Sequence, residues 1–128
     1  MSNFISSCIC PVVLLLLCAI PAKADVIVSG LQCEYLTDPL GIDVEAPRLT
    51  WKLSDTNHTR GQKQTGYQVL VASSPNRLKE GPADIWDSGV VRSAQSSLVP
   101  IVGKKLTSGE DCFWKVRVLD KDSQPSAW

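Results

Sequence analysis

Residues 25–128 are expected to fold as an all-β sandwich of the fibronectin type III or immunoglobulin-like kind. Two observations predict it. Short runs of alternating apolar and polar residues recur at regular spacing, and clusters of Gly, Pro, Asn and Asp separate them. After the N-terminal segment there is no helical period of any length and no internal repeat.

The first strand is placed at 26–35, with Leu31, Cys33 and Tyr35 on one face and Gln32 and Glu34 on the other. Residues 37–47, TDPLGIDVEAP, read as an unpaired connection, because Pro39 and Pro47 cannot donate to a ladder and Gly41 permits an unusual backbone angle. A second strand at 48–54 alternates cleanly: Leu49, Trp51 and Leu53 point inward, Thr50 and Lys52 outward. The polar turn 54–64 leads to a third strand at 65–74, where Tyr67, Val69 and Val71 share one face. Gln68, Leu70 and Ala72 share the other, so the back of this strand is expected to be partly covered. The loop 75–83 precedes short strands at 84–91 and 96–101, and Pro100 marks the latter as an edge or strand end. The sixth strand, 111–120, carries the strongest alternation, with Cys112, Trp114, Val116 and Val118 on the inner phase.

A sandwich of this type needs a seventh strand beside the sixth, and residues 121–128, KDSQPSAW, read as the turn before it. The expectation is therefore an incomplete sandwich with its last strand missing and the edge of the sixth strand bare. Taken alone, such a domain is expected to be marginally stable or oligomeric.

Residues 1–24 read as a signal peptide. The apolar stretch 9–20, ICPVVLLLLCAI, is short for a membrane span, and Ala22-Lys23-Ala24 supplies a small-x-small site for cleavage before Asp25. No Lys or Arg precedes that stretch, which departs from the usual pattern. Two alternatives stay open: lipid attachment at Cys18, which the bulky Leu17 disfavours, and an uncleaved anchor. The expected location is secreted or periplasmic, with no membrane span after cleavage. With Lys23 set aside, 12 basic side chains face 13 acidic ones in residues 25–128, a formal charge of −1. Such a balance, without a basic stripe, excludes an electrostatic footprint for nucleic acid. Of the five cysteines, three (Cys8, Cys10, Cys18) fall in the leader, leaving Cys33 and Cys112. These two read either as separate buried thiols acting as small hydrophobes, the preferred reading, or as a disulfide.

Four strings carry a resemblance: EYLTDPLGIDVEAPRLTWKL (34–53), RGQKQTGYQVLVASS (60–74), IWDSGVV (85–91) and FWKVRVLDKDSQPSAW (113–128). In this order and at these separations they resemble the N-terminal sandwich module of bacterial α-L-rhamnosidases, over essentially all of residues 30–128. The resemblance implies large exported enzymes in which this module precedes further β-domains and a catalytic α/α toroid that removes terminal L-rhamnose with inversion. Inversion requires two carboxyl groups roughly 6.5–9.5 Å apart across a sugar pocket. No such domain lies in these residues, so no catalytic, cofactor-binding or metal-ligating position is assigned to this chain. The implied role is a structural accessory module whose partners are the neighbouring domains of the enzyme. Cys112 departs from the family, where an aromatic residue is commoner, and that loss is expected to loosen the corner before the sixth strand.

The remaining candidates read as bland. Asp84 and Asp87 flank Trp86, and Glu110 and Asp111 are adjacent, but all four sit at turns or strand ends where solvated carboxylates are common. His58 lies in a polar turn with no partner ligand nearby and is expected to be exposed. Asn57-His58-Thr59 matches a glycosylation acceptor that occurs often by chance. Trp51 and Trp114 fall on inward phases, whereas Trp86 and Trp128 leave open an independent carbohydrate-binding or adhesion module acting on rhamnose-containing glycans. The loop with Arg60, Gln62 and Gln64 is expected to offer its polar side chains to a neighbouring domain.

Overall fold

The computed structural model describes residues 23–128. The leader expected at 1–24 lies outside the described residues, apart from Lys23 and Ala24. In chain order the elements are β1 (Val26–Cys33), β2 (Arg48–Asp55), β3 (Gly66–Ala72), α1 (Pro75–Glu80), β4 (Trp86–Asp87), β5 (Val99–Pro100) and β6 (Phe113–Leu119). The strands form two antiparallel three-stranded sheets, ordered β1-β2-β5 and β4-β3-β6. Between them lies one core, in which Leu49, Trp51, Val69, Val71, Val99, Val116 and Val118 are almost wholly buried. The inward phases expected for β3 and β6, and for Leu49 and Trp51 of β2, are therefore those that meet across the sandwich.

β1 departs from the expected phase. Its pairing with β2 slips between Ser29 and Gln32, where Gly30 adopts a positive φ of 58°, a bulge that breaks the two-residue period. Val26 and Val28 face the core before the slip and Cys33 packs on it afterwards, but Leu31 is exposed. Tyr35 lies beyond the strand, in a turn where Glu34 and Tyr35 both have positive φ, and it is 62% exposed. Leu53 is also exposed: its phase points inward, but it sits near the end of the sandwich, beside Val26, Gln62 and Lys63.

The loop expected at 75–83 contains a helix. Ser74 caps α1 by accepting the Arg77 N–H at 3.3 Å, and Pro75 opens it, the usual chemistry of a helix start. Six residues are too few to show a helical period, so only that Ser-Pro pair announces it. α1 packs against β3 and β6, and Ala72 is fully buried on the back of its sheet. β4 and β5 shrink to two residues each. Pro100 does lie on an edge, as β5 borders only β2.

The loop after β5 crosses to the other sheet at Gly103. A Cβ there would stand 2.4 Å from the Trp86 Cβ and 2.5 Å from the Ile85 carbonyl oxygen, so only glycine fits this crossing. Lys104 N–H then donates to Ile85 O at 3.0 Å. After β6 the chain turns about Asp120, whose Oδ1 accepts the N–H groups of Asp122 and Gln124 at 2.8 and 2.9 Å. It returns along β6, where Ser126 N–H donates to Val118 O at 2.8 Å and Pro125 O accepts from Ala24 N–H at 3.1 Å. The segment read as a turn thus already pairs with the outer edge of β6.

Candidate functional site

The motif residues are used inside the domain. Gln64 is buried; its Oε1 accepts the Trp51 Nε1–H at 3.0 Å, and its Nε2 donates to the carbonyls of Ser93 and Gln95 at 3.0 and 2.7 Å. Gln62 Oε1 accepts the N–H of Lys121 at 3.1 Å. Gln62 and Gln64, two of the three side chains expected to seek a neighbouring domain, therefore find their partners here, and of the three only Arg60 stays exposed. Tyr67 meets Trp51 edge-on, with ring centroids 5.2 Å apart, a favourable aromatic geometry. Gln68 Oε1 accepts from Arg117 at 2.8 Å while its Nε2 donates to Asp87 at 2.8 Å. In the Trp-Asp-Ser-Gly string, Asp87 accepts Gly89 N–H at 2.8 Å and Ser88 Oγ accepts Val69 N–H at 2.8 Å. That string closes a sheet edge.

Of the acidic candidates Asp84, Asp87 and Glu110 are spread among separate structural bonds, while Asp111 is exposed and makes no side-chain bond among the described residues. Asp84 takes the N–H and the hydroxyl of Ser73 at 2.9 and 2.6 Å, and those bonds hold its carboxyl below the ordinary range. Glu110 accepts the N–H and hydroxyl of Thr107, with the same effect, and this pair fastens the approach to β6 beside Cys112. Glu34, which the local sequence pattern does not mark, receives Arg48 twice through the guanidinium, at 2.8 and 3.0 Å, and once through its backbone N–H at 2.7 Å. Arg48 accordingly lowers Glu34 below its usual 4.5. A carboxyl lowered by folding adds stability that is complete above its unfolded value and fades as pH falls through the folded one. The melting midpoint is therefore expected to be flat near neutrality and to fall as pH drops below about 4.5. Glu34→Gln should make that fall shallower in a pH series of thermal melts.

His58 is exposed, as expected, in a turn where Asp55 accepts the N–H groups of Asn57 and Thr59. Among the described residues no three His, Cys, Asp or Glu side chains converge as metal ligands. No described buried side-chain polar atom lacks a partner. Trp51 is core, Trp114 and Trp86 pack against the core, and Trp128 is 46% exposed. Its ring lies against the cations of Lys115 and Arg117, 4.8 and 4.7 Å from the centroid.

What this domain leaves unsatisfied is apolar. Along the β1–β2 connection Tyr35, Leu36, Leu40 and Val44 are all exposed, and Leu40 completely so. The connection is anchored at its base by Glu34 and Arg48 and along its length by Glu45, which meets Lys105 at 2.9 Å. A connection that presents apolar side chains is suited to contact with another protein surface rather than to bond-making chemistry.

The description "Rha78A-like, N-terminal immunoglobulin domain" belongs to the family model that matches residues 28–128. The chain belongs to this domain family. An α-L-rhamnosidase of Streptomyces avermitilis is 43% identical over 101 residues, covering 79% of this chain and 9% of that protein. One of Formosa agariphila is 38% identical over 92 residues, 72% of this chain and 10% of its own length. The crystal structure of the Streptomyces avermitilis enzyme complexed with L-rhamnose superposes with a TM-score of 0.74 at 42% identity, over 80% of this chain and 10% of that one. The α-L-rhamnosidase from Dictyoglumus thermophilum gives 0.73 at 38% identity, over 78% of this chain and 11% of its own. The chain thus spans about a tenth of these relatives, and the likeness expected from its four strings holds at the level of this immunoglobulin domain.

Proposed function

We propose that this domain is the N-terminal accessory module of an α-L-rhamnosidase-like glycoside hydrolase, and that it supports chemistry carried out by other domains. In that reading the complete enzyme releases terminal L-rhamnose from rhamnosides, and the module's partners are its neighbouring domains. The observation that carries it is the contrast between the two kinds of surface. Asp84, Asp87 and Glu110 are tied into turns and a strand end, whereas the β1–β2 connection holds Tyr35, Leu36, Leu40 and Val44 outward without cover from this domain. The leader at 1–24 supports export, to the periplasm or beyond.

A second reading, glycan binding, is favoured by one feature: the half-exposed ring of Trp128 beside two cations. A titration of the chain with L-rhamnose and rhamnosyl oligosaccharides, followed by tryptophan fluorescence, separates the two. No saturable change up to millimolar sugar is the result expected of a supporting module. A saturable change that Trp128→Ala abolishes would replace that reading with the binding one.

A further inference from the structure

Cys33 ends β1 in one sheet and Cys112 immediately precedes β6 in the other, and because Ala24 before β1 bonds to Pro125 after β6, both cysteines sit at the same end of the sandwich. Cys33 closes β1, pairing with Leu49, which in turn pairs with Val99 of β5. From there backbone bonds lead across: Ile101 N–H to Pro47 O at 3.0 Å, Lys104 N–H to Ile85 O at 3.0 Å, and Ile85 N–H to Val71 O at 3.2 Å. The next residue of β3, Ala72, pairs with Phe113, the neighbour of Cys112. β1 also packs directly on β6. Both thiols are free, partly covered, and packed against the same core cluster.

We propose that Cys33 and Cys112 form an inter-sheet disulfide when the domain meets a disulfide oxidant such as glutathione disulfide. One protein thiolate attacks a sulfur of glutathione disulfide and expels a glutathione thiolate, leaving a mixed disulfide. The second protein thiolate then attacks the protein sulfur of that bond and expels a second glutathione. Two protein thiols lose two electrons and two protons, and one glutathione disulfide becomes two glutathiones. The closed loop would hold β2, β3, β4 and β5, so the bond would join the two sheets across most of the chain.

Burial, Glu34 and the Cys112 thiol push Cys33 up to about 11, and burial with Glu110, Asp111 and Asp84, against Lys104, pushes Cys112 up. Exchange at these groups is therefore slow near neutrality, and the test is run at about pH 8.5. The full chain is incubated with glutathione disulfide, alkylated, digested with trypsin and mapped by mass spectrometry. The expected product joins peptide 24–48 to peptide 106–115, two hydrogens lighter than their sum. Oxidation should raise the melting midpoint by more than about 10 °C. In Cys112→Ser the reaction should stop at glutathione bound to Cys33, without that rise. Recovery of the two peptides unlinked, their linkage only to Cys8, Cys10 or Cys18, or an equal rise in Cys112→Ser would each overturn the proposal.

Discussion

Trp51→Ala is expected to destabilise the domain by about 3–5 kcal/mol, the range for truncating a buried aromatic side chain. Trp51 is 2% exposed, meets Tyr67 edge-on and lies in the cluster where residues from both sheets converge. Its removal leaves a cavity that the flanking valines of β3 and β6 cannot fill, since their χ1 is stiff and their backbones are fixed by the ladder. It also leaves Gln64 Oε1 without its donor. A loss of that size is comparable with the whole ~5–15 kcal/mol that holds an ordinary domain together. Urea denaturation followed by far-UV circular dichroism measures it. A loss under about 1 kcal/mol would mean that the two sheets do not close on Trp51.

Gln64→Leu is expected to cost about 2–3 kcal/mol, although leucine is apolar and similar in size. The reason is the number of groups the amide serves: the Trp51 indole N–H and the carbonyls of Ser93 and Gln95. Leaving a buried donor or acceptor unpaired costs about 1–3 kcal/mol, and water reaches the carbonyl of exposed Gln95 more easily than it reaches the indole. Pairing this variant with Trp51→Phe separates the terms, because the phenyl ring has no N–H to orphan. The two losses should then be clearly less than additive. Strict additivity in urea melts would contradict a Trp51–Gln64 bond.

These two residues also mark how far the fold was legible in the sequence. Trp51 was readable because it stands in an uninterrupted two-residue period, as do Tyr67, Val69 and Val71 opposite it. Gln64 was not. It sits between a polar turn and the start of β3, where a polar residue looks solvated, and its partners Ser93 and Gln95 come from a segment about 30 residues away. Nothing in local periodicity reports a side chain that satisfies a distant backbone. β1 departs from its simple alternation for a related reason: a bulge at Gly30 breaks the two-residue period and Leu31 turns out of the core, while the turn at Glu34 and Tyr35 ends the strand before Tyr35 can point inward.

The candidate site was legible in a different way. The Pro and Gly residues of 37–47 mark that segment as an unpaired connection, but they do not say that Tyr35, Leu36, Leu40 and Val44 would stand exposed upon it. The bonds at its base and along it, Glu34 with Arg48 and Glu45 with Lys105, join residues 14 and 60 positions apart, which local pattern does not report. Of the acidic residues, Asp84 and Glu110 are held by bonds from Ser73 and Thr107.

The proposed function holds that this domain supports glycoside hydrolysis without performing it. The most direct measurement is the release of nitrophenol from 4-nitrophenyl α-L-rhamnoside by the purified, folded chain at high protein concentration. The account predicts a rate indistinguishable from buffer across the acid-to-neutral range. Turnover above that rate, abolished by substituting Asp84, Asp87, Glu110 or Asp111, would contradict it.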